Sequence, residues 1–134
     1  MIIGIGVDIA ETERFEKIYA RFGERIAQRI LTANELREFD RRNNPATYLA
    51  TRFAAKEAAA KALGTGFGSS VGYKSIEVAN DRYGKPMLHF TKAASQLAHQ
   101  KQVENVFVSL SDEKHYVVAM VILEGQDSPG PTGS

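Results

Sequence analysis

Residues 46–63 read as one long helix closed by Gly64, and seven alanines fall between Ala50 and Ala62. Alanine is the strongest helix former and glycine the usual residue just past a helix end. The stretch Arg52-Phe53-Ala54-Ala55-Lys56-Glu57-Ala58-Ala59-Ala60-Lys61 runs through Ala62-Leu63 into Gly64-Thr65-Gly66-Phe67-Gly68. Side chains four apart on a helix are neighbours, so Glu57 and Lys61 project from the same side, with Arg52 and Lys56 further round. So many alanines leave little bulk to keep a substrate off the backbone. A carboxylate suited to a hard cation, basic groups suited to phosphate oxygens and a glycine-rich loop point together to phosphate chemistry assisted by Mg²⁺.

The rest of the chain organises around that helix. Residues 2–7 read as a buried first strand, with Ile3, Ile5 and Val7 on one face and Gly4, Gly6 and Asp8 on the other. Over residues 12–30 Phe15, Ile18, Tyr19, Phe22, Ile26 and Ile30 recur at helical spacing, with Gly23 a possible division. Thr32 followed by Glu35 is a capping-box pattern that opens a short helix through about residue 41. Asn43-Asn44-Pro45 is a loop. Residues 75–79 and 86–90 read as paired strands around a turn at 80–85, Thr91 as the cap of a helix to about 102, and 106–110 and 116–123 as two more strands. Helices grouped before hairpins predict an α+β fold: a mainly antiparallel sheet with helices packed on it. A single domain is expected over residues 1–124, with the Gly/Pro/Ser-rich stretch 125–134 a disordered tail.

Bulk numbers narrow the function. A length of 134 residues, 43% hydrophobic and 25% charged, suits one soluble domain with its own core. A net charge of +1 announces neither nucleic acid nor membrane. The absence of cysteine excludes a thiolate metal site and a cysteine nucleophile. With no apolar run near the ~20 residues of a membrane span and no signal-peptide pattern at its start, the chain reads as cytoplasmic.

Four features together carry a resemblance: Ile5-Gly6-Val7-Asp8-Ile9, the helix core from Arg52 to Lys61 with Gly64-Thr65-Gly66 after it, Gly84-Lys85-Pro86, and the closing hairpin. In this combination the chain resembles the holo-(acyl-carrier-protein) synthases, the short form of 4′-phosphopantetheinyl transferase. The resemblance implies that fold and the Mg²⁺-dependent transfer of 4′-phosphopantetheine from coenzyme A to a serine of apo acyl carrier protein. Adenosine 3′,5′-bisphosphate would leave, in support of fatty acid biosynthesis. It further implies that Asp8 and Glu57 bind the metal. Lys61 would neutralise the pyrophosphate or protonate the leaving phosphate. Arg52, Lys56 and the backbone of Gly64, Thr65 and Gly66 would bind coenzyme A phosphates, and Lys85 and Pro86 would lie near the adenine nucleotide. The proton of the attacking serine would go to Glu57, to a water or to the hairpin acid Asp112. Many members carry a histidine where Asp112 stands here, and His115 comes three residues later. A homotrimer with active sites between subunits is also implied.

Arg14, Lys17, Arg21, Arg25 and Arg29 fall on one side of a helical wheel, partly offset by Glu11, Glu13, Glu16 and Glu24. A solvated face and a docking surface both fit this pattern; in the family the helix docks the acidic carrier protein, which assigns Arg14, Arg21 and Arg25 to partner binding. Two rival readings stand beside the transferase: a Mg²⁺-dependent nucleotide hydrolase, and a nucleic-acid module using the arginine helix.

Overall fold

The computed structural model describes residues 1–65 and 71–126. Strand β1 (Ile2–Glu11) leads into α1 (Thr12–Phe22), α2 (Glu24–Ile30), α3 (Ala33–Phe39) and the long α4 (Pro45–Leu63). A 3₁₀ turn (Tyr73–Ser75) then precedes β2 (Ile76–Asn80), β3 (Pro86–Phe90), α5 (Lys92–Gln100), β4 (Val103–Asp112) and β5 (Tyr116–Gly125). Among the described residues the strands form a three-stranded sheet in the order β1-β5-β4 and a separate β2-β3 hairpin, both antiparallel. The expected α+β class holds.

Local signals place the element ends. Gly23 takes φ 59°, ψ −140° and divides α1 from α2. Thr32 and Glu35 form the expected capping box. Asn44 accepts from the N–H of Thr47 and Pro45 fills the first turn, so α4 opens one residue before the expected start. It closes at Gly64, whose φ of 80° suits a residue without a Cβ. Thr91 precedes α5 but makes no side-chain cap; its N–H donates instead to the Ser75 carbonyl at 2.8 Å. Gly125, expected in the tail, belongs to β5 and donates its N–H to the carbonyl of Met1 at 3.0 Å. The remainder of the expected tail beyond Gln126 lies outside the described residues. No described helix is long and apolar enough to cross a membrane.

The first strand lies the opposite way up from the alternation prediction. Gly6 is buried against α4, while Ile5, Val7 and Ile9 are 56%, 46% and 62% exposed. The cause is steric. A methyl group on Gly4 would overlap the carbonyl oxygen of Ala62, and one on Gly6 that of Ala58. Strand and helix backbones therefore touch, and only a glycine face meeting alanines permits it. This also corrects the reading of the alanines: Ala54, Ala55, Ala58 and Ala59 are sealed in the core and expose no backbone to a substrate. Val117, Ala119, Val121 and Leu123 of β5 continue that core, and Phe15 of α1 packs on Phe53 at 5.1 Å between ring centres.

Gly6→Ala is expected to lower the unfolding free energy by about 3 kcal/mol or more, since neither backbone can yield without breaking ladder bonds. Urea unfolding measures it, and a loss under about 1 kcal/mol would mean that the contact is looser than described.

Candidate metal and phosphate site

The β1–α4 contact brings together groups far apart in sequence. Asp8 follows Gly4 and Gly6 on the face turned to α4. Lys61 donates its ammonium to Asp8 Oδ1 at 3.1 Å and to the Val7 carbonyl at 3.0 Å. One turn earlier on α4, Glu57 Oε1 accepts a hydrogen bond from the Tyr73 hydroxyl at 3.1 Å. Both carboxylates keep oxygen lone pairs beyond these contacts. Carboxylate oxygens are the donors that Mg²⁺ takes, few at a time, filling the rest of its shell with water and phosphate oxygens.

Burial first, then the charge and hydrogen bond of Glu57, push the Tyr73 phenol up to about 12, while Arg29 and Arg14 pull it back. Arg14 and Arg29 thus lie within electrostatic reach of the Tyr73 hydroxyl. Arg14, Lys17 and Arg21 are exposed on α1, and Arg25 and Arg29 on α2, with the turn at Gly23 between the two sets. Lys17 pairs with Glu13 at 3.3 Å. Phe22, Arg25, Ile26 and Arg29 line a groove of about 290 Å³.

The expected phosphate-binding cations are dispersed. Lys56 is 0% exposed, and its three ammonium protons go to Glu35 Oε1 at 2.6 Å, the Ile30 carbonyl at 2.7 Å and the Tyr73 carbonyl at 3.1 Å. Burial holds its pKa below the ordinary lysine value despite the opposing pull of Glu35. Its donors are used up, so it has none to offer a phosphate. The two described residues of the glycine turn are likewise committed. The amide of Gly64 donates to the Lys61 carbonyl and that of Thr65 to the Ala60 carbonyl, both at 3.0 Å, capping α4 rather than forming an anion nest. Gly66 lies outside the described residues.

Arg52 occupies a different place. Its guanidinium stacks 4.4 Å over the Tyr48 ring and donates to Asn80 Oδ1 at 2.7 Å, while its buried Nε has no partner among the described residues. It lines a cleft of about 600 Å³ with Arg41, Arg42, Asn80 and Asp112. Asn80 also donates to the Gly84 carbonyl at 2.9 Å, so the turn carrying Lys85 and Pro86 adjoins this cleft. His115 lines another opening, with Thr12 and Lys114.

Sequence reasoning missed Tyr73, Glu35, Asn80 and the pair Arg41-Arg42. Glu35 had shown itself only as part of a capping box, yet its carboxylate also takes the Val78 N–H at 2.7 Å. The doubled arginine before Asn43 was the one local signal that a basic cleft forms there.

Glu35→Ala strands the Lys56 ammonium and should cost about 3–5 kcal/mol in urea unfolding, against under about 1 kcal/mol if the pair were dispensable. Tyr73 keeps its proton longer when folded, so its contribution is whole below the ordinary value of 10.0 and is lost as pH rises toward about 12. Over that window the parent should lose stability more steeply than Tyr73→Phe, and parallel curves would contradict the assignment.

Comparison with known proteins identifies the family. Residues 4–121 match the profile of the 4′-phosphopantetheinyl transferase superfamily. A holo-[acyl-carrier-protein] synthase of Vibrio cholerae is 52% identical over 124 residues, 92% of this chain and 98% of the relative. The crystal structure of the Neisseria meningitidis synthase superposes with a TM-score of 0.87 at 43% identity, covering 92% of this chain and 99% of that one. A Bacillus anthracis synthase in complex with CoA (3′,5′-ADP) superposes at 0.78 with 41% identity, over 94% and 99% of the two chains. The chain therefore belongs to the 4′-phosphopantetheinyl transferase superfamily, among the holo-[acyl-carrier-protein] synthases.

Proposed function

We propose that this chain transfers 4′-phosphopantetheine from coenzyme A to a serine of apo acyl carrier protein, with Mg²⁺ held by Asp8 and Glu57. The observation that carries the reading is the corner itself: an aspartate on the glycine face of β1, tied by Lys61 to α4 one turn from Glu57. The metal would supply charge neutralisation for the coenzyme A pyrophosphate. The serine oxygen forms a bond to the phosphorus that carries pantetheine, and the bond from that phosphorus to the bridging oxygen breaks, releasing adenosine 3′,5′-bisphosphate. Glu57 takes the serine proton, directly or through a water. Lys61, half-exposed at the same corner, neutralises the departing phosphate or protonates it.

Arg52 takes a coenzyme A phosphate in its cleft, with Lys85 and Pro86 flanking the nucleotide; the neighbouring Arg41 and Arg42 on the same cleft support this. Lys56, Gly64 and Thr65 drop out of the phosphate-binding set. Within one chain, none of Asp8, Glu57 and Lys61 lines the Arg52 cleft. A homotrimer would set one subunit's cleft beside another's corner. The outer face of the sheet, with Ile5, Val7, Ile9, Phe107, Val118 and Met120 exposed, has the apolar surface that such an assembly covers. Arg14, Arg21 and Arg25 receive the acidic carrier protein, in a cytoplasmic enzyme that serves fatty acid synthesis.

Incubation with coenzyme A, Mg²⁺ and apo acyl carrier protein should add a phosphopantetheine-sized mass to the carrier. Asp8→Ala should lower the rate by about 10²-fold or more, on the scale of lost transition-state charge stabilisation. An unmodified carrier, with coenzyme A cleaved in its absence, would favour the hydrolase reading instead. Arg14→Glu should raise the carrier's KM and leave that of coenzyme A unmoved; an unchanged carrier KM would remove the docking face.

A further inference from the structure

Lys56 and Glu57 are adjacent on α4 and so point about 100° apart around the helix. One enters the core and the other reaches the rim of the metal corner. The turn beginning at Tyr73 crosses both. The Tyr73 carbonyl accepts from Lys56 at 3.1 Å, its hydroxyl donates to Glu57 Oε1 at 3.1 Å, and its ring packs on Phe53 with centres 5.8 Å apart. Lys56 is anchored in turn by Glu35 and the Ile30 carbonyl. A continuous set of contacts thus runs from the buried Glu35, through Lys56 and the Tyr73 backbone, to the carboxylate of Glu57.

From this geometry we propose that Tyr73 is a positioning residue: its hydroxyl fixes the Glu57 carboxylate so that the second oxygen, Oε2, presents to the divalent cation. The inference rests on the metal-binding reading of Glu57 given above. A half-buried glutamate has three side-chain torsions to restrict, and each one left free costs binding affinity when the ion arrives. A phenol is well suited to restrict them. It donates to one oxygen, adds no charge that would repel the ion, and here is itself held by ring packing and by its own carbonyl. Groups that hydrogen-bond a ligating carboxylate are typically worth 10–100-fold in metal affinity. Glu57 is only partly buried and water would replace part of the lost bond, so the low end of that range applies.

Tyr73→Phe removes the hydroxyl and keeps the ring and the carbonyl contact. Binding of Mn²⁺ to the purified full chain with coenzyme A present, followed by the paramagnetic resonance of the free ion, reads the site without turnover. The variant should bind Mn²⁺ about tenfold more weakly than the parent. The Mg²⁺ concentration for half-maximal transfer should rise by the same factor, with coenzyme A binding in chelator unchanged. A merely structural role would lower the melting temperature and leave the Mn²⁺ affinity alone. Glu57→Gln, measured in parallel, separates the two ways of being wrong. If Glu57→Gln loses Mn²⁺ and Tyr73→Phe binds it like the parent, the positioning role is overturned while the metal reading stands. If Glu57→Gln still binds Mn²⁺ normally, the metal reading fails and the role of Tyr73 fails with it.

Discussion

Gly4 and Gly6 lie against the carbonyls of Ala62 and Ala58, and this backbone-to-backbone approach of β1 to α4 fixes what surrounds it. A side chain at either glycine would lift the strand from the helix and carry Asp8 away from Lys61. The same contact explains why α4 is built from alanine: nearly every turn of it is covered, by β1 and β5 on one flank and by α1 on another. Its few charged side chains therefore stand at positions where the packing stops or where a counter-ion meets them.

Those charges divide the labour. Lys61 remains at the rim, exposed and paired with Asp8. Lys56 is locked inside, and a buried pair of this kind adds little net stability relative to apolar packing but is costly to break. Its value lies in fixing where the segment after the glycine-rich turn crosses the helix. Arg52, with a planar guanidinium stacked on Tyr48 and bonded to Asn80, is held at one place on the wall of its cleft. Three cations on one helix thus sit in three separate surroundings.

What was legible in the sequence was mostly local. The Gly23 break, the Thr32–Glu35 capping box, the Gly64 stop and the β2-β3 hairpin are each written within a few residues, and each forms. The sheet face of β1 was misread because alternation assumes that the bulkier side chains turn inward; glycine against alanine reverses this, leaving Ile5, Val7 and Ile9 outside. Lys56 was misassigned for a related reason. Helical spacing orders the side chains around α4, but it does not say which side the core covers when neighbouring residues are both charged. Neither the Asp8–Lys61 ion pair nor the Tyr73–Glu57 hydrogen bond was foreseen, since no local rule joins residues so far apart in the chain. Long-range contacts of this kind come from packing, which periodicity does not encode.

A shared divalent ion between Asp8 and Glu57 is the claim on which the chemistry turns. Crystals grown with Mn²⁺ and coenzyme A test it most directly, by locating the metal from its anomalous scattering. One peak within bonding distance of both carboxylates and a pyrophosphate oxygen is expected. A peak that touches only one of the two, or lies elsewhere in the molecule, would contradict the shared site.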